Sequence, residues 1–251
     1  MQKSFFRNAV AMVFAAVILT KNHGWHIPEK KNLGFLVIRS VAGTVGVLCN
    51  FYAVSNMNLA DASTLNKLSP FFAVIFSALV LKERPRFGQL AAVCAAFVGA
   101  MLVMKPTFSA DALPSFLGFL GGMGAGLAYT YVRRLSQNGE KGAFIVFFFS
   151  VFSCLVCLPS LIFSYAPMSI MQTVCLLLAG LFAGGGQMFI TAAYAKAPAK
   201  EISVYDYSQI IFTTLLSYIV FGDLPDMLSF LGYAVIIAAA VYNSRTNKVK
   251  E

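Results

Sequence analysis

Charge is almost absent from nine stretches of this chain, and that absence restricts the fold more than any other feature. The stretches are roughly 5–20, 34–55, 62–81, 87–104, 115–132, 143–164, 170–193, 202–221 and 227–243. Each is apolar, about 17–25 residues long and bounded by charges, Pro or Gly, as a helix crossing a bilayer requires. The gaps between them are too short for a soluble domain. With 59% hydrophobic and 12% charged residues, the expectation is an all-α polytopic membrane protein, and water-soluble folds are excluded.

The net charge of +9 does not point to nucleic acid, because its placement alternates. Lys21, Lys30, Lys31, Lys82, Arg84, Arg86, Arg133, Arg134, Lys141, Lys196, Lys200, Arg245, Lys248 and Lys250 fall in every second gap or after the last span. The other gaps and the N-terminus hold Lys3, Arg7 and Lys105. Basic residues gather on the cytoplasmic side of a membrane protein. The C-terminus is therefore expected in the cytoplasm and the N-terminus outside, in a bacterial inner membrane. All five cysteines lie inside spans, so no disulfide framework is implied. His23 and His26 share a loop without a carboxylate or thiolate cluster, so no metal site is expected. No phosphate-binding glycine loop, HExxH or GxSxG motif occurs, which disfavours an ATP-driven pump or an enzyme. No cofactor is implied.

One segment appears twice. Residues 62–85, ASTLNKLSPFFAVIFSALVLKERP, match residues 202–225, ISVYDYSQIIFTTLLSYIVFGDLP, without a gap. Ser63 meets Ser203, Ser77 meets Ser217, Glu83 meets Asp223 and Pro85 meets Pro225. Each copy is a half helix interrupted by polar residues, then an apolar half, then an acidic-Pro turn. Interrupted spans at matching places in two halves mark the binding site of inverted-repeat carriers. The halves are 1–105, with four spans, and 115–251, with five spans and a short tail, joined by a linker at 106–114. The first half is shorter by about one membrane helix, so a complete pair would need a further span before Met1.

The stretch 39–85 resembles the EamA-type branch of the drug/metabolite transporter superfamily. The residues that carry the likeness are Arg39, Gly46, Phe51-Tyr52-Ala53, Leu59-Ala60-Asp61-Ala62, Pro70 and Glu83. FFRN at 5–8 resembles the start of that family's second helix, and the likeness continues more weakly through the second half. The resemblance implies a ten-helix inverted-repeat carrier with a central cavity, moving a small, amino-acid-like or other polar metabolite, often outward.

Polar residues inside the spans are the candidate substrate contacts. A charge at the centre of a bilayer costs about 2.5–3.5 kcal/mol on insertion scales, so each needs a partner or water. Lys67 and Asp206 sit at equivalent depths on the interrupted helices and are expected to pair or to hold a zwitterion. Gln209 and Thr213 follow Asp206 on one helical face, Asn66 is its counterpart in the first copy, and Tyr207, Gln187 and Asn50 complete the set. Pro70 removes a backbone donor and frees the carbonyl of Asn66. Arg39, on a stripe with Gly43, Gly46 and Asn50, is expected to snorkel to the interface or to form a gate pair. Gly180 and Gly184, like Gly122 and Gly126, have the small-xxx-small spacing of packing faces. The leading expectation is a secondary transporter of a small molecule, embedded in lipid, working by alternating access and driven by an ion gradient or exchange. The alternative is a non-transporting scaffold, or an incomplete carrier completed by a partner such as a second copy.

Overall fold

The protein, seen in a computed structural model, is described over residues 1–107, 112–222 and 224–248. Asp223, the middle of the 106–114 linker and Lys250 lie outside the described residues. The helices are α1 (Gln2–Lys21), α2 (Lys30–Asn56), α3 (Leu59–Asn66), α4 (Ser69–Phe76), α5 (Phe87–Met104), α6 (Ala112–Gln137), α7 (Gly142–Phe163), α8 (Ile170–Lys196), α9 (Ala199–Ile202), α10 (Ser208–Phe221) and α11 (Met227–Lys248). No strand occurs among the described residues. Among the described residues, eight segments are long and apolar enough to cross a membrane, with Leu59–Leu81 counted as one. The ninth expected span, 202–221, falls short of that length because it is broken into α9, a 3₁₀ turn at Tyr205–Tyr207 and α10. The fold is an all-α, multi-pass membrane protein.

The chain forms two compact units. Unit 1 holds residues 1–48 and 127–197, and unit 2 holds 49–126 and 198–251. Their boundary falls within α2 and within α6, so each unit draws helices from both halves of the sequence. In unit 1, α1 packs on α7 and α8. Gly180 and Gly184 permit this approach. A Cβ at Gly180 would stand 3.0 Å from the Val10 side chain, and one at Gly184 would stand 3.1 Å from the Ala11 backbone. In unit 2, α5 and α11 cross through Gly99 and Gly232, each with its Cα against the other's carbonyl. Neither glycine stood out in the sequence.

Loops within each unit meet as alternating crossings demand. In unit 1, Glu140 of the α6–α7 loop is buried and bonds His26 Nε2 (2.7 Å) and Asn32 Nδ2 (3.0 Å) of the α1–α2 region. The carboxylate that meets His26 is not the neighbouring Glu29 but Glu140, far away in the chain, which only tertiary packing brings in. At the opposite ends, Gln2 Nε2 donates to Ala166 O at 3.0 Å. In unit 2, Lys105 donates to Asp226, which also caps α11 through Ser229. Lys105 and Ser229 hold the Asp226 carboxyl down at about 2. Asp61 accepts from Thr107 N (2.6 Å) and Oγ1 (2.8 Å), anchoring the start of the linker to the start of α3.

Two measurements check this packing. At Gly126 of α6, a Cβ would lie 2.5–2.8 Å from Phe72 Cβ, Ala73 N and Ser69 O. Gly126→Ala is expected to destabilise by about 1–3 kcal/mol, as overpacking does. Gly185→Ala, where nothing lies within 4 Å, should leave the melting temperature unchanged or raise it, since Ala is the better helix former. The second concerns pH. The Gly24 carbonyl and then the Glu140 carboxylate raise the His26 pKa above its ordinary 6.5. A raised histidine stabilises fully below the unfolded value and loses that contribution as pH climbs through the folded one. The melting-temperature gap between wild type and His26→Gln should therefore be largest near pH 6 and shrink toward about pH 8.

Candidate functional site

The site grows out of two helix breaks in unit 2. The chain leaves helical geometry between α3 and α4 at Lys67–Leu68, and between α9 and α10 at Ser203–Tyr207. Residues 67 and 207 correspond under the sequence repeat, so both copies break at nearly the same place. Pro70 falls in the first turn of α4, where a missing N–H is tolerated. Beyond α4 the helix widens into a π-turn at Ser77–Leu81. There Ser77 Oγ donates to Glu83 (2.7 Å) and Lys82 adopts φ +59°.

The two breaks are tied together almost reciprocally. Lys67 Nζ donates to the main-chain carbonyl of Asp206 (3.0 Å) and to Gln209 Oε1 (2.7 Å). Tyr207 Oη donates in return to the carbonyl of Lys67 (2.9 Å). The expectation placed the Lys67 contact on the Asp206 carboxylate. The bond found is to its main-chain carbonyl, which lies in the 3₁₀ turn at Tyr205–Tyr207. The Asp206 carboxylate remains within electrostatic reach of the ammonium. The carbonyl that draws a side-chain donor at the first break is that of Lys67, one residue beyond the Asn66 carbonyl singled out from Pro70. Tyr207 is fully buried among Ala92, Val93, Ala96, Val204 and Ile236, so the core of unit 2 fixes the turn.

Gly122 seats α6 against this junction. A Cβ there would stand 2.7 Å from Leu65 O and 3.6 Å from Asn66 O. Asn66 and Asp206 are half-buried and Gln209 is exposed. Thr213 bonds the Gln209 carbonyl of its own helix (2.8 Å). Asn50 belongs to unit 2 and is half-buried. Gln187 belongs to unit 1, where it reaches Thr191 Oγ1 at 3.4 Å. The structure thus brings Lys67, Asp206, Tyr207 and Gln209 into one cluster beside Asn66.

Arg39 departs from expectation. It does not snorkel. Its side chain is 1% exposed in unit 1, with the guanidinium 3.8 Å from the centre of the Phe149 ring. Gly43, one turn on, leaves room for it: a Cβ there would fall 2.8 Å from Arg39 Nη1. Arg7, read as a marker of the outer face, also turns inward, and its Nη1 is buried. The sequence signal for Arg7 was its place beside Asn8 inside an apolar run. Asn8 is itself buried and bonds Ser153 Oγ at 2.8 Å.

Among the described residues, no group of three or more His, Cys, Asp or Glu gathers to hold a metal. The groups that do converge in unit 2 are an ammonium, an amide, a phenol, a carboxylate and the main-chain atoms of two helix breaks. Such a set can bind and release a small polar solute, and it offers no nucleophile–base pair.

Residues 2–105 and 113–245 both match the EamA-like transporter family. The chain is 30% identical over 246 residues to the pseudopaline exporter CntI of Pseudomonas aeruginosa, covering 97% of this chain and 86% of that one. It is 24% identical to a riboflavin transporter of Brucella anthropi, with 96% and 87% covered. It is 26% identical to human solute carrier family 35 member G1, with 95% and 69% covered. A solved crystal structure shares the fold with a TM-score of 0.81 at 15% identity, over 97% of this chain and 87% of its own. The family and these named relatives are transporters rather than enzymes. A membrane-spanning chain with matched helix interruptions, matched in both halves to one family, belongs to the EamA-like transporter family.

Proposed function

We propose that this protein is a secondary transporter of a small polar metabolite, working by alternating access in the cytoplasmic membrane with its C-terminus inside. The reading rests on one observation: two spans break at repeat-equivalent positions and are joined there by Lys67, the Asp206 carbonyl, Gln209 and Tyr207. Each of these bonds crosses between two halves of the sequence. A solute that competes for the ammonium or for Gln209 would loosen the junction, so binding and movement of the broken helices are coupled. Lys67 would hold a substrate carboxylate and Asp206 a substrate amine or a transported proton, with Asn66, Asn50, Gln187 and Thr213 as further polar contacts. An amino-acid-like zwitterion fits this set. The pseudopaline exporter supports metabolite export as the direction, with an ion gradient or exchange as the drive. The sequence repeats, 1–105 and 115–251, are proposed as the inverted pair from which the carrier is built.

A panel of amino-acid-like metabolites tested by thermal shift on the purified protein checks the site. A compound at 100 times its dissociation constant should stabilise wild type by about 2.7 kcal/mol. The effect should vanish in Asp206→Asn. Lys67→Met and Asp206→Asn should each lower the transport rate of that compound roughly tenfold or more, as losing a bond to a charged group implies, while membrane insertion is unchanged. Normal transport in both variants would refute the assignment. Tyr207→Phe should act differently: an unsatisfied Lys67 carbonyl destabilises the fold by about 1–3 kcal/mol, readable as a lower melting temperature without ligand.

A further inference from the structure

Unit 1 buries the whole of Arg39 and the Nη1 atom of the half-buried Arg7. Arg39 is 1% exposed, and neither its Nε nor its Nη1 has a hydrogen-bond partner among the described residues. Arg7 Nη1 is likewise buried and unbonded. The two guanidinium groups lie close enough to act on each other electrostatically, and both act on Tyr129. Tyr129 stacks on the buried Tyr194, ring centres 4.8 Å apart. Arg39 stands roughly 13 Å along α2 from its start, and Arg7 roughly 21 Å back from the end of α1.

The acids of unit 1 are elsewhere. Glu29 is exposed in the α1–α2 loop, and Glu140 is held by His26 and Asn32. A buried cation without an acid partner contributes no stability. Phe149 holds the Arg39 fork in place through its ring face but takes up none of its N–H donors. The free donors of an arginine fork match the two oxygens of a carboxylate or the oxygens of a phosphate, in bidentate geometry.

We infer that Arg7 and Arg39 form a binding site for an oxyanion, a carboxylate or phosphate group borne by a small solute. The site deepens the carrier reading and rests on it for what the bound group belongs to: the transported solute carries negative charge. The pair is kept at the expense of the empty protein's stability, as binding sites are.

The test uses the full-length protein in a non-ionic detergent at low ionic strength. The probes are glutarate, inorganic phosphate and the neutral analogue glutaramide, each matched by sodium chloride. Glutarate or phosphate is expected to raise the melting temperature saturably and beyond the chloride control, while glutaramide does not. The anion that acts identifies the source as carboxylate or phosphate. Arg39→Gln and Arg7→Gln should each weaken the apparent affinity at least tenfold; either variant alone suffices should the other fail to fold. Arg39→Met without anion should melt no lower than wild type, because it removes an uncompensated charge. The inference is overturned if neither anion exceeds the chloride control, if wild type and variants respond alike, or if Arg39→Met melts well below wild type, which would make Arg39 a structural clamp on Phe149. Should anions fail here while Lys67→Met and Asp206→Asn still abolish transport, the carrier reading stands without this site. The converse pattern would keep the anion site and remove the carrier reading.

Discussion

A backbone carbonyl released inside a bilayer has no water to turn to, so a helix that breaks there must be given donors by side chains. That constraint organises unit 2. The sequence breaks two spans at equivalent places, and each break exposes main-chain oxygens. Lys67 answers the break at Asp206, and Tyr207 answers the break at Lys67. The glycines of α6 admit the first junction at close range, since any larger residue at 122 or 126 would meet backbone atoms of α3 or α4. The core that buries Tyr207 holds the second. Polar chemistry in the middle of an apolar protein is therefore a consequence of broken helices. Under the proposed function, the same groups that repair the breaks exchange those bonds for a solute.

Unit 1 solves a different problem. Its helices are unbroken, and α1 lies against α8 through Gly180 and Gly184. What it carries inside is the side chain of Arg39 and one guanidinium nitrogen of Arg7, three of their nitrogens unbonded among the described residues. Loop bonds such as Glu140 to His26 and Asn32 close one end of the unit.

Much of this was legible before any coordinates. Spans follow from hydropathy because a bilayer dictates helix length, and the breaks follow from a polar run and Pro70 in one copy and a matching polar run in the other. The cluster of Lys67, Asp206 and Gln209 could be named because the repeat puts them at one depth. The accepting atom could not, since it depends on the 3₁₀ turn at Tyr205–Tyr207. Of the two expectations for Arg39, a snorkelling side chain or a gate pair, the first fails because distance from a helix end is local information, whereas the ring that covers the guanidinium is Phe149, more than a hundred residues later. Gly99 and Gly232 went unnoticed for the same reason: each looks ordinary in its own helix and matters only against the other. Arg7 looked like a flanking charge, and only α7 and α8 packed around α1 reveal it as an interior one.

The central claim is that the broken-helix junction of unit 2 opens to each side of the membrane in turn. Gln209→Cys in a background with the five native cysteines replaced, probed with a membrane-impermeant thiol reagent on intact cells and on inverted vesicles, tests it most directly. Labelling from both sides, shifted toward one side when a stabilising solute is present, is the predicted result. A cysteine at 209 that reacts from neither side, or from one side alone under every condition, would contradict it.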